Sequence, residues 1–236
     1  MVFVSRPAAP HAVVLIAVKP LREAKTRLAP ALRAEQRAQL TLAMLTDVLE
    51  AARGAAWTRA VAVITADPQA GALARAYGAV VLDEPEPESA WAAPTSGARA
   101  GRAGGGLNAA LRAGDAWARE QFPTALRAAL HGDLPALRPG ELQEALRAAR
   151  GRGRSYVADH AGLGTTALIA ADPAEQLAPV FGPGSAARHE ASGATAITEP
   201  LPGLRHDVDV PDDLRMTGEL GLGLATKALL AGVGLV

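Results

Sequence analysis

The sequence has 236 residues, 49% of them hydrophobic and only 3% aromatic, enough chain for one large α/β domain with a core of Ala, Leu and Val. Its 24 basic and 24 acidic residues cancel to a formal net charge of zero, which excludes a global pull toward nucleic acid or membrane, so any affinity for phosphate must come from a local cluster. The absence of cysteine excludes disulfides, thiolate zinc sites and cysteine nucleophiles, and suits a reducing cytoplasm.

Residues 1–11 read as an N-terminal extension, and the apolar run from Ala12 to Val18 lacks the basic region and cleavage site of a signal peptide. Val13-Val14-Leu15-Ile16-Ala17-Val18 is continuous and rich in β-branched residues, as in a strand buried on both faces. Lys19, Arg22, Lys25 and Arg27 follow at once. Cations at the carboxyl end of a strand could hold a polyphosphate, or they could be a solvated loop before a helix. No Walker loop is present. Leu40, Met44, Val48 and Ala51 recur at helical spacing over about 34–52, the pattern of a helix that covers a sheet. A second buried strand spans Ala60 to Thr65, a helix follows to about Tyr77 with Gly78 as its cap, and Ala79 to Asp83 is a third strand. This rhythm implies right-handed crossovers and a mostly parallel sheet.

From Glu84 to Gly105 the chain is rich in Pro, Gly, Ser and Ala without apolar period, which predicts a flexible loop. Gly104-Gly105-Gly106 could bring backbone N–H groups to an anion or base edge, or serve as a hinge, before a helix with Asn108 in its first turn. Ala129-Leu130-His131-Gly132-Asp133-Leu134-Pro135 then reads as a buried strand that Pro135 stops, leaving Asp133 at the carboxyl end. In open α/β sheets that rim binds ligands. A carboxylate there suits a hard divalent cation, or caps the next turn.

Pro139 with Leu142 and Leu146 predicts another cover helix, and Ser155 to Asp159 a strand. Gly162-Leu163-Gly164-Thr165-Thr166 has the residues of an oxyanion site and equally of a hairpin turn. Phe181-Gly182-Pro183-Gly184-Ser185 is a glycine turn opening a short helix, where Ser185 could cap the helix or touch an anion. In Asp207-Val208-Asp209 the alternation sends both carboxylates to one side of an extended segment. Pro211, Asp212 and Asp213 start a helix in the ordinary way. The apolar tail beyond Leu220 is too interrupted to span a bilayer.

Taken together, Val18-Lys19-Pro20 with Ala24-Lys25-Thr26-Arg27-Leu28, Gly106-Leu107-Asn108, Gly132-Asp133-Leu134-Pro135, Gly164-Thr165-Thr166, Phe181-Gly182 with Gly184-Ser185, and Asp207-Val208-Asp209 with Pro211 resemble one family, in the same order over about residues 12–215. It is the phosphoenolpyruvate / 2-phospho-L-lactate guanylyltransferase family of coenzyme F-420 biosynthesis. The resemblance implies a single nucleotidyltransferase domain over residues 12–236, of GT-A-like, Rossmann-like α/β fold, with a mostly parallel sheet flanked by helices and the 84–105 loop inside it. It further implies a cytoplasmic Mg²⁺-dependent enzyme that joins GTP to phosphoenolpyruvate. Asp133, Asp207 and Asp209 would hold one or two Mg²⁺ and form the catalytic set. Lys19, Lys25, Arg27 and Asn108 would bind GTP, and Thr165, Gly182 and Ser185 the phosphoenolpyruvate.

The expected partners are those two small molecules, with no nucleic acid and no membrane, and a homodimer is left open. Phosphoenolpyruvate, 2-phospho-L-lactate and 3-phosphoglycerate are not separated by residue type. A sugar-phosphate or molybdenum-cofactor nucleotidyltransferase normally has a glycine-rich first loop, which Val18-Lys19-Pro20-Leu21 lacks. A non-catalytic nucleotide-binding subunit predicts a broken acidic set, whereas all three aspartates are present.

Overall fold

The structure, a computed structural model, describes residues 11–85 and 105–232. The elements in chain order are β1 (Ala12–Ala17), α1 (Ala34–Gly54), β2 (Thr58–Ile64), α2 (Pro68–Ala76), β3 (Val80–Leu82), α3 (Gly105–Gln121), β4 (Leu126–Leu130), α4 (Pro139–Ala149), β5 (Arg154–Ala158), β6 (Thr165–Ala170), α5 (Ser185–Ala191), β7 (Thr195–Ala196), α6 (Pro202–Arg205), α7 (Pro211–Leu220) and α8 (Leu224–Gly232). The seven strands form one sheet in the order β3-β2-β1-β4-β6-β5-β7. All pairs are parallel except those of β6, which runs against both β4 and β5. The sheet is therefore mostly parallel, as the strand–helix rhythm implies, with one reversed strand arising from the β5–β6 hairpin.

Why the sheet closes follows from β1, whose residues from Ala12 to Ile16 are wholly buried. Val14 and Ile16 pack with Leu45, Val48 and Leu49 of α1 and with Leu142 and Leu146 of α4. Val13 and Leu15 face the other way, onto Ala110, Leu111 and Ala118 of α3. A strand covered on both sides has to be apolar at every position, which is why its sequence shows no alternation. A third cluster joins Leu28, Leu40, Met44, Val208, Leu214 and Leu230. It anchors the loop after β1 and the 207–209 segment to one another. At its edge the buried Asp47 accepts N–H bonds from Ala225 and Thr226, both at 3.0 Å, and so satisfies the start of α8. None of the described helices is long and apolar enough to cross a membrane.

Gly105 and Gly106 belong to α3 and not to a turn before it. The stretch expected to be a flexible loop lies, apart from its first two residues and Gly105, outside the described residues.

One buried polar network positions the segment leading to the glycine turn. Arg127, fully buried on β4, donates to Asp115 at 2.9 Å and to the carbonyls of Ala125 and Asp172 at 3.0 Å, and also contacts the Glu175 carbonyl. The other Asp115 oxygen accepts the Leu177 N–H at 3.1 Å. Breaking a buried ion pair from one side strands the other charge and typically costs about 3–5 kcal/mol. Asp115→Ala should therefore lower the unfolding free energy in urea by about that amount. An effect below about 1 kcal/mol would show that the pair contributes little.

Candidate active site

Three segments meet beyond the carboxyl ends of β1 and β4. Lys25 lies between two short 3-10 turns, Leu21–Glu23 and Thr26–Leu28, with a left-handed backbone at φ 52°. A non-glycine residue takes that conformation at some cost and mostly where surrounding structure enforces it. The enforcing contacts are two carboxylates: the Lys25 ammonium hydrogen-bonds Asp133, and Asp209 at 2.9 Å, with only 9% of its side chain exposed. The segments carrying those acids are themselves paired, because Val208 donates its N–H to the Asp133 carbonyl at 3.1 Å. Val208 is buried, so its two neighbours turn toward the cluster as the alternation requires. Arg27 adds a second cation 3.7 Å from Asp209, on the solvent side.

His131, the residue after β4, completes the group. Its Nδ1 lies 3.7 Å from an oxygen of Asp133 and 3.6 Å from one of Asp207. His131, Asp133 and Asp207 offer ligand atoms all within 4.8 Å of one another. Asp133 Oδ1 and His131 Nε2 are buried with no hydrogen-bond partner, so the donor set has capacity for a further cation. Oxygen donors with one imidazole suit a divalent metal ion.

Burial alone would disfavour each charge here, yet the partners prevail. Burial raises the Asp133 carboxyl, but Lys25 and His131 hold it below its ordinary value. Burial lowers Lys25, and Asp133 and Asp209 more than reverse this. His131 is likewise lowered by burial and carried above its ordinary value by Asp207 and Asp133. Asp133 is thus held ionised against a charged Lys25. The cleft it lines, about 320 Å³, also includes Lys19, Thr26, Arg27 and Leu107.

A second group stands beside it, joined through Phe181, whose ring lies 5.3 Å from that of His131 and 5.2 Å from that of His189. Asn108 of α3 clamps Phe181, accepting its N–H at 2.8 Å and donating to its carbonyl at 3.1 Å. Gly182 and Gly184 take positive φ, +126° and +68°, which side chains resist and glycine allows. The chain can then turn and enter α5 at Ser185. Ser185 and Thr165 are both buried, and Thr165 Oγ1 lies 2.9 Å from His189 Nδ1.

Residues 12–87 match the family model described as guanylyl transferase CofC like. The chain is 47% identical over 229 residues to a protein of Nocardia farcinica named phosphoenolpyruvate guanylyltransferase, covering 97% of this chain and 94% of that one. A protein of the same name from Rhodococcus opacus is 46% identical over 226 residues, 96% and 92% of the two chains. The chain belongs to the phosphoenolpyruvate guanylyltransferase family. It is a nucleotidyltransferase, and its fold agrees: a nucleotidyl transferase from Methanothermobacter superposes with a TM-score of 0.56 at 16% identity, over 90% of this chain and 98% of that one.

Of the residues that the family likeness singles out, Asp133, Asp207, Asp209, Lys25 and Arg27 converge, and Lys19 lines the same cleft. Thr165, Gly182 and Ser185 form the adjoining group. Asn108, expected beside GTP, is hydrogen-bonded to Phe181 and so supports the glycine turn. The amides of Leu163 and Gly164 do not serve an external oxyanion. They donate to Asp159 at 2.9 and 2.8 Å, closing the β5–β6 hairpin. His131 and His189 went unmarked in the sequence. His131 could have been found from its place two residues before Asp133, whereas nothing local signals His189.

His189 has a measurable signature. Burial, then Arg188 and Arg154, depress it to about 4, against a weak opposing pull from the Ser185 backbone. The folded state then stays neutral where an unfolded histidine, near 6.5, takes a proton. Its contribution is fully present above pH 6.5 and is lost as pH falls toward 4, by up to about 1.4 kcal/mol per pH unit. Urea unfolding at pH 7 and pH 5 should show a larger acid loss for the wild type than for His189→Gln. Equal losses would contradict a neutral buried imidazole.

Proposed function

We propose that the protein transfers the guanylyl group of GTP to phosphoenolpyruvate, releasing pyrophosphate and forming enolpyruvoyl-diphospho-5'-guanosine, a step of coenzyme F-420 biosynthesis in the cytoplasm. The observation that carries the reading is the convergence of Asp133, Asp207 and Asp209 with Lys25 and Arg27 at the rim of β1 and β4. Relatives 46–47% identical over nearly the whole chain bear the corresponding name.

The acceptor phosphate is already anionic at neutral pH, so no general base is needed. The difficulty is to bring two polyanions together in line, and charge neutralisation with alignment supplies most of the catalysis. Asp133, Asp207 and Asp209, with His131 beside them, would hold Mg²⁺, which would supply positive charge to offset that of the two polyanions. Lys19, Lys25 and Arg27 hold the triphosphate and stabilise the departing pyrophosphate. Lys25 exchanges a carboxylate for a phosphate oxygen when nucleotide enters. Thr165, Ser185 and the Gly182 backbone hold the acceptor with neutral donors. That suits a small acid with one phosphate and one carboxylate.

Purified protein incubated with Mg²⁺ and each pairing of GTP, ATP, CTP or UTP with phosphoenolpyruvate, 2-phospho-L-lactate or 3-phosphoglycerate should release pyrophosphate fastest with GTP and phosphoenolpyruvate. Asp133→Asn, Asp207→Asn and Asp209→Asn should remain folded and lose at least about a hundredfold in kcat. Near-normal turnover at saturating Mg²⁺ would remove that residue from the site, and release independent of any acceptor would contradict the reaction.

Lys25→Ala and Arg27→Ala should weaken GTP binding by roughly ten- to a hundredfold in calorimetry, since a charge-assisted phosphate contact contributes about 1.5–3 kcal/mol. Affinity for phosphoenolpyruvate should change far less. Unchanged GTP affinity would return these two side chains to a purely structural role.

A further inference from the structure

His189 sits beneath the proposed acceptor subsite and touches it at two atoms. It is wholly buried on α5, one helical turn after Ser185 and hence on the same face. Its Nε2 lies 3.1 Å from the backbone nitrogen of Val180. A backbone amide can only donate, so Nε2 holds a lone pair, and in the neutral ring the proton is then on Nδ1. That Nδ1 lies 2.9 Å from Thr165 Oγ1. The Thr165 hydroxyl is therefore the acceptor in this bond and its own proton is directed elsewhere. The doubly protonated ring is incompatible with the arrangement, because it would set two donors against each other at Val180.

The position of Thr165 has its own cause. A register irregularity between Val157 and Ala158 opposes Ala158 to Thr165 and Val157 to Ala167, leaving Thr166 as the extra residue of a bulge. Bulges re-aim side chains, and this one puts Thr165 at the imidazole while the Thr166 hydroxyl turns to the Val157 carbonyl at 3.4 Å.

We infer that His189 is a positioning residue for the acceptor: as its Nδ1–H tautomer it fixes the Thr165 hydroxyl as a donor toward an anionic group, and through Val180 it holds the turn ahead of Ser185 in register with that hydroxyl. The opposite tautomer would consume the Thr165 proton and present only lone pairs to a phosphate or carboxylate. The inference rests on the reading of Thr165 and Ser185 as the acceptor subsite, and the experiment separates the two.

Asparagine places an amide N–H where Nδ1 lies, and glutamine places an amide oxygen where Nε2 lies. His189→Gln should keep the Val180 contact and lose the donor to Thr165, raising the KM for phosphoenolpyruvate by about tenfold with kcat and the KM for GTP within about twofold. His189→Asn, which keeps a donor to Thr165 but loses the Val180 contact, should raise the same KM clearly less than His189→Gln does. Thr165→Val sets the reference. If it leaves the KM for phosphoenolpyruvate unchanged, the subsite reading fails and the inference falls with it. If Thr165→Val raises that KM while the two His189 variants behave alike, or lower kcat and raise both KM values together, the inference alone is overturned. Two-bond ¹H–¹⁵N correlation spectra of the wild-type protein with ¹⁵N-labelled histidine need no variant to fold. A pyrrole-type Nδ1 with a pyridine-type Nε2 is expected for His189, and the reverse pattern overturns the assignment.

Discussion

Three aspartates cannot share a small cleft unless something positive lies among them. At about 4 Å two like charges repel by roughly 4 kcal/mol at the effective dielectric of a protein surface. Lys25 supplies the balancing charge. Its ammonium joins Asp133, after β4, to Asp209, near the end of the chain, separations of 108 and 184 residues from Lys25. The left-handed turn at Lys25, the Val208 N–H on the Asp133 carbonyl and the shared apolar cluster of Leu28 and Val208 all serve to hold that contact. The same charge balance explains why Asp133 stays ionised although buried. In the proposed reaction Lys25 would pass from a carboxylate to a phosphate.

The two halves of the site are built by different means. Around Lys25 the framework is a parallel sheet whose strands deliver charged residues to one rim, and the interactions are ionic. Around Thr165 the framework is a hairpin and a seven-residue helix, and the interactions are neutral hydrogen bonds among buried groups. Phe181 bridges the halves, its ring tilted against that of His131 and its backbone held by Asn108. The Arg127–Asp115 network fixes the chain just ahead of it. A polyanion and a small acid could thereby be bound side by side by surfaces of unlike charge.

Much of this was legible because local pattern and tertiary role coincide. The unbroken run of β1 and the alternation in Asp207-Val208-Asp209 each specify geometry within a few residues, whereas β4 ends at Leu130, five residues before the Pro135 expected to stop it, and Asp133 lies in the loop beyond the strand. What was not legible depends on partners distant in sequence. The donors of Gly162-Leu163-Gly164 suit an anion or a hairpin equally, and only the fold shows Asp159 taking them. The hydrogen bonds of Asn108 to Phe181 join residues 73 apart in sequence, and no local pattern announces them. The reversal of β6 follows from a hairpin whose turn residues fit other uses. His189 matters through its tautomer, which Val180 imposes from nine residues away.

The central claim is that the carboxylates around Lys25 hold a divalent cation and yield Lys25 to the nucleotide. Diffraction at the manganese absorption edge, from crystals grown with Mn²⁺, a non-hydrolysable GTP analogue and phosphoenolpyruvate, tests it most directly. The account predicts an anomalous peak within about 2–2.5 Å of oxygens of Asp133 and of Asp207 or Asp209, with the Lys25 ammonium on a phosphate oxygen. A peak elsewhere, or Lys25 still joining Asp133 to Asp209 with the nucleotide bound away from them, would contradict it.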